Sequence, residues 1–227
     1  MRIDNQANLS IELLSKIDEI CNSLLYYIED LDLTNFNCIK IVDDLLLNSL
    51  SDGYFENGTI MLPKKKIQKY LNLKKYDILK STIYHELCHL DLYNKLPILH
   101  SLYEKYNKQD NYVGSFTIMV YIEYLAHLKS TKMETIETQK DFYDSVYKLN
   151  YDFSNDIDKI YFIKAAPYII GRDTNDKYIN KIENEDFKMR IEEVKRELIK
   201  LPIKEYIDDY TILYRLEKIV SKYISNV

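Results

Sequence analysis

Tyr76-Asp77-Ile78-Leu79-Lys80-Ser81-Thr82-Ile83-Tyr84-His85-Glu86-Leu87-Cys88-His89-Leu90-Asp91-Leu92-Tyr93 (residues 76–93) is the stretch on which the fold turns. Ile78, Ile83, Leu87 and Leu90 recur at helical spacing, which predicts a helix with one buried face. Pro97 then ends that helix or begins the next. Residues four apart share a helix face, so His85 and His89 can aim ring nitrogens at one metal ion. Glu86 sits beside them and can take a proton from a metal-bound water. His-Glu-x-x-His inside a segment that reads as a helix on other grounds is the context this pattern requires. With four His and sixteen Glu in the chain, a chance occurrence has odds of roughly half a percent. The competing reading makes these two unrelated histidines and a solvated Glu. The apolar embedding counts against it, since imidazole and carboxylate groups on a buried helix need partners.

Working outward toward the N-terminus, Gly53-Tyr54-Phe55-Glu56-Asn57-Gly58-Thr59-Ile60-Met61-Leu62 reads as a β-hairpin. Asn-Gly between apolar runs supplies the two positive-φ residues of a type I′ turn. Residues 38–42, Cys-Ile-Lys-Ile-Val, are short and β-branched, a strand. Together these predict a small sheet of about three strands. Residues 10–32 carry apolar positions at helical spacing behind Ser10, a good helix N-cap. Toward the C-terminus, residues 113–130, 135–149 and 154–170 read as helices, with Gly171 placed to cap the last. Residues 172–180 are polar and loop-like, and two charged amphipathic helices (about 184–200 and 203–225) follow. The order is helix, small sheet, then helices, an α+β arrangement with an antiparallel or mixed sheet, an edge hairpin and a helical C-terminal extension. The expected division is 1–172 and 173–227, with the boundary near residues 173–177.

Composition agrees with this. The chain has 227 residues, only four Gly and four Pro, and 30% charged residues, which argues for long helices over a turn-dense all-β fold. Its net charge of −5 forces no basic face for nucleic acid, and Lys64-Lys65-Lys66, beside a predicted turn, reads as a solvated surface rather than a phosphate-binding patch. Three cysteines (Cys21, Cys38, Cys88) without C-x-x-C spacing make neither a disulfide framework nor a cysteine-zinc site. No signal peptide or run of 18 apolar residues is present, so the expected location is the cytoplasm, with no membrane partner.

A catalytic zinc needs a third protein ligand and an open position. The metzincin continuation would put Gly at 92 and His at 95; those are Leu92 and Lys95, so that subclass is excluded. Glu123, in Tyr121-Ile122-Glu123-Tyr124-Leu125-Ala126-His127, is the next candidate. A lone carboxylate among Met119, Val120, Ile122 and Leu125 calls for a counter-charge, which a metal supplies; the alternative is a solvated helix edge. His127, one turn on, is either a hydrogen-bonding neighbour of the site or a half-buried helix residue. Cys88 is expected to be a small buried residue. Asp91 points to another face, as a solvated charge or an acceptor for a ligand. His100 has no assigned role.

With these motifs the chain resembles the gluzincin metallopeptidases, in which HExxH is followed on a later helix by a ligand Glu. The hairpin GYFENGTIML, the helix IYHELCHLDL and EYLAH are similar to minimal zincin-like proteins of phages and mobile elements, akin to the ImmA/IrrE type. The resemblance covers roughly residues 38–130, more weakly 165–171. That type commonly has Gly before the second His, where this chain has Cys88. The resemblance implies a zinc metallopeptidase with His85, His89 and Glu123 as ligands and Glu86 as general base. Zincins also benefit from a donor to the oxyanion; Tyr168, before Gly171, is the choice and Tyr161 the runner-up. It further implies an extended substrate added to an edge strand, with residues 59–62 in the right order for it, or equally for covering the helix.

The expected function is therefore hydrolysis of a peptide or protein by a zinc-activated water. One alternative is a non-catalytic, zinc-stabilised regulatory protein that uses the C-terminal helices as a binding surface. A third makes the helices a nucleic-acid or toxin-neutralising scaffold with an accidental HExxH, which the acidic charge disfavours. Neither substrate nor oligomeric state is readable from the residues.

Overall fold

A computed structural model describes residues 1–43, 53–146, 151–173, 176–203 and 206–224. The chain is α+β, with a four-stranded mixed sheet and helices making up most of the remainder. It divides into two compact units: residues 1–94 with 132–141, and residues 95–131 with 142–227.

The first unit holds the sheet. Strands β1 (Ile3–Asn5), β2 (Cys38–Val42), β3 (Tyr54–Glu56) and β4 (Thr59–Pro63) lie in the order β1-β2-β4-β3. β1 and β4 both run parallel to β2, and β3 runs antiparallel to β4. Ile39, Ile41 and Val42 are buried, as expected of a central strand covered on both faces. The hairpin turn is as the sequence predicts: Asn57 (φ 48°) and Gly58 (φ 77°) both lie in the left-handed region. Only glycine fits at 58, because a Cβ there would stand 2.0 Å from the Asn35 carbonyl oxygen. β4, however, is paired on both sides, so residues 59–62 are not an edge; the outer strand of the hairpin is β3.

β1 is a fourth strand that three residues, Ile-Asp-Asn, do not announce in sequence. Behind it, Asn5 closes a tight loop by donating to the Leu9 carbonyl (2.9 Å) and accepting from the Leu9 amide (2.8 Å). Helix α1 (Ile11–Ser23) starts on Ser10, whose side chain accepts from the Leu13 amide. It is shorter than the periodicity suggests. The Leu24 amide bonds back to Cys21 and Tyr27 to Leu24, so three-residue spacing replaces the α-helical ladder. After β4 come α2 (Lys64–Asn72) and α3 (Tyr76–Lys95). Ten of the twenty α3 residues are buried, among them Leu87, Cys88 and Asp91, so α3 is a central helix and not a one-faced surface helix.

The second unit is helical: α4 (Pro97–Lys108), α5 (Tyr112–Ser130), α7 (Asp156–Arg172), α8 (Glu185–Leu198) and α9 (Tyr214–Ile224). α6 (Ile136–Val146) contributes to both units; positions 147–149 of the expected helix lie outside the described residues. Pro97 begins α4 rather than ending α3. α5 is the hub, packed against α4, α7 and α9. Gly171 is not the cap of α7. The helix runs to Arg172 with Asp173 as its C-cap, and the glycine serves close helix packing, as described below. Asp173 is buried, accepting from the Tyr178 (2.9 Å) and Ile179 (2.6 Å) amides. The first amides of α4 are satisfied from far away in sequence. Asp208 accepts from Ile98 (2.7 Å) and Leu99 (2.8 Å). Among the described residues no helix is long and apolar enough to cross a membrane.

Candidate metal centre

In the first unit, the middle turns of α3 bring His85 and His89 side by side. Their Nε2 atoms are 3.0 Å apart, with ring centroids at 4.6 Å and planes nearly perpendicular. Two nitrogens bound to one tetrahedral zinc at about 2.05 Å would stand about 3.3 Å apart. The pair is therefore within a few tenths of an ångström of ligand spacing. Both rings are half-buried. Leu87, Cys88 and Leu90 around them are fully buried, which holds the helix face in place. Cys88 is the small buried residue its setting predicts. Beneath it, burial pushes the Tyr84 phenol up from its ordinary range, with Cys88 adding to the effect.

Glu86 is buried, 6% exposed. Its carboxylate lies against the backbone of Gly53, just before β3: a Cβ at 53 would stand 3.0 Å from Glu86 Oε1 and 3.1 Å from its Cγ. Sequence reading placed Gly53 only at the start of the hairpin. The contact spans 33 positions and has no local signature. Asp91 is a correction as well, since it is fully buried and not solvated. Its Oδ1 accepts from the Asp32 amide at 2.7 Å, and Asn94 donates to the Asp32 carbonyl at 2.8 Å. These two α3 side chains pin the segment ahead of β2.

In the second unit, Glu123 and His127 lie one turn apart on α5, with Glu123 Oε2 and His127 Nε2 at 3.6 Å. Both are partly buried. α7 supplies the surroundings of His127. The Tyr168 ring packs edge-on against it at 4.9 Å. Arg172 donates to the Tyr168 hydroxyl oxygen at 3.2 Å, and its guanidinium lies 4.7 Å from the Phe142 ring centroid. A methyl at Gly171 would stand 2.7 Å from His127 Cβ. Tyr161, the other tyrosine considered as a donor, is 43% exposed, two turns earlier on α7. Sequence reading missed Arg172; a basic residue four positions after Tyr168 on one helix was the available signal.

By chemistry, the His85 and His89 nitrogens on α3 are donors of the kind a metal ion takes, and so, within the second unit, are the Glu123 carboxylate and the His127 imidazole on α5. Within its own unit His127 faces Glu123 across one helical turn. Compared with known proteins, the chain matches no family model, no curated protein and no solved structure.

Proposed function

We propose that the chain is a zinc-dependent peptidase, with His85, His89 and Glu123 as zinc ligands and Glu86 as general base. The observation that carries it is the α3 pair: two imidazole nitrogens 3.0 Å apart on a helix that also buries Glu86, the motif's acid.

Zinc supplies Lewis acidity, lowering the pKa of a bound water and polarising a carbonyl. The protein's own groups do the rest. Glu86 accepts the proton of the attacking water and returns it to the leaving amine, so the peptide C–N bond breaks as a C–O bond forms. Burial against Gly53 restricts that carboxylate to few rotamers, which favours repeated transfer along one path. His127 is either a fourth donor or the group that orients Glu123 across 3.6 Å. Tyr168 is the proposed hydrogen-bond donor to the developing oxyanion. The bond it accepts from Arg172 polarises its hydroxyl and strengthens it as a donor.

The test is metal analysis of the purified protein, followed by a peptide-library cleavage assay comparing wild type with Glu86→Gln. The expected result is one zinc per chain in both proteins and a loss of about 10²–10⁴-fold in turnover for the variant. Equal cleavage by both proteins would remove Glu86 from the mechanism, and absence of zinc would end the metalloenzyme reading.

A further inference from the structure

We infer that Gly53 is a positioning residue for Glu86, holding the carboxylate at its working place by the absence of a side chain; this rests on the zinc-peptidase reading. The geometry is local to the first unit. A Cβ built at 53 would meet Glu86 Oε1 at 3.0 Å, Glu86 Cγ at 3.1 Å and Thr82 Cγ2 at 3.1 Å. The backbone at 53 therefore lies in a slot on α3 whose walls are Thr82 and Glu86, residues one turn apart on the same helix. Thr82 is fixed, its hydroxyl donating to the Ile78 carbonyl at 3.0 Å. Glu86 is buried and has little room to turn away.

φ at Gly53 is not in the left-handed region, so the glycine is not there for backbone strain. What it supplies is space. Any larger residue must displace a threonine held by its hydroxyl or the carboxylate itself, and the carboxylate, at the end of a longer side chain, yields more easily. A shift of a few tenths of an ångström at a proton-transferring oxygen leaves the fold intact and misaligns the reacting atoms. Gly53 also leads directly into β3, an outer strand of the sheet. The hairpin and the base are thereby registered to each other by one backbone contact.

The experiment combines activity with a stability cycle on the zinc-loaded protein. Gly53→Ala is expected to keep its zinc and its KM while kcat falls about tenfold. It is also expected to lower the melting temperature in the Glu86 protein and much less in Glu86→Ala, where the space is open. Equal lowering in both backgrounds overturns the inference, because Gly53 would then not act through Glu86. An unchanged kcat overturns it too. Coupled melting with no cleavage by wild type supports the contact and overturns the peptidase reading, so the two failures are separable. If Gly53→Ala does not fold, Thr82→Ser is added, removing the methyl at 3.1 Å while keeping the hydroxyl. Recovery of fold with weakened turnover supports the inference, and recovery with full turnover overturns it.

Discussion

The α-carbon of Gly171 lies so close to His127 that a methyl group added to it would stand 2.7 Å from the His127 β-carbon. The same methyl would meet the Tyr124 carbonyl oxygen at 2.9 Å and the Leu128 nitrogen at 3.1 Å. Two of these neighbours are α5 backbone and cannot rotate away.

Gly171→Ala should therefore destabilise the protein, although alanine is worth about 1 kcal/mol over glycine in an ordinary helix. Forcing α7 from α5 costs about 1–3 kcal/mol, which outweighs that gain. Urea unfolding checks it, with a lowered midpoint expected. A raised midpoint would show that the two helices separate freely.

Tyr168→Phe should retain zinc and fold while kcat falls by about 10²-fold, the scale of losing one oxyanion donor. Tyr161→Phe serves as the comparison and should be unchanged, since Tyr161 is 43% exposed. Steady-state kinetics on both variants separates them. Equal behaviour of the two would remove Tyr168 from the chemistry.

On the zinc-peptidase reading, metal removal should lower stability by mass action, because an ion held by the folded ligands has no such site in the unfolded chain. At a free zinc concentration 100-fold above Kd the stabilisation is about 2.7 kcal/mol. Differential scanning fluorimetry with zinc against chelator reads it directly. His85→Ala, His89→Ala and Glu123→Ala should each shrink the shift, and a shift that survives His85→Ala would place the metal elsewhere.

Alkaline stability should be limited by buried acids. Burial raises the Cys21 thiol from 9.0 to about 11. The same cause raises the Tyr121 and Tyr151 phenols from 10.0 to about 12. Each folded pKa lies above the unfolded one, so the unfolded chain loses its proton first. The stabilisation is complete below pH 9 and is lost as pH climbs toward 11 and 12. Denaturation midpoints across pH 8–12 should fall, and Cys21→Ala should flatten the stretch between 9 and 11. An unchanged slope in that variant would count against the thiol.

What the sequence disclosed follows how local each cause is. The hairpin was legible because Asn57 and Gly58 carry their conformational preference in two adjacent residues, and α3 because its apolar spacing and its ligand pair share one helix. β1 was not, because Ile3-Asp4-Asn5 owes its strand to pairing with β2, 36 positions further on in register. Gly171 resembled a cap because a helix was about to end there; its packing depends on His127, 44 positions earlier. Gly53 was passed over for the same reason. The interior position of β4 followed from its parallel pairing with β2, which a hairpin motif does not foretell. Asp91 reads in sequence as a solvated charge or an acceptor for a ligand, and the backbone amide it accepts from lies 59 residues away, where no local pattern points to it.

Asp208 has a bearing on the order in which the molecule can be made. It serves the Ile98 amide across 110 positions and the Leu99 amide across 109. A chain emerging from the ribosome exposes the first turn of α4 long before its acceptor exists. Until then those two amides must be satisfied by water. The start of α4 should consequently be among the last parts of the second unit to gain protection from hydrogen exchange during synthesis. The long loop joining the two partners makes that closure slow relative to the local helices. In a protein read from its N-terminus, the third helix after the sheet is finished by a residue near the other end.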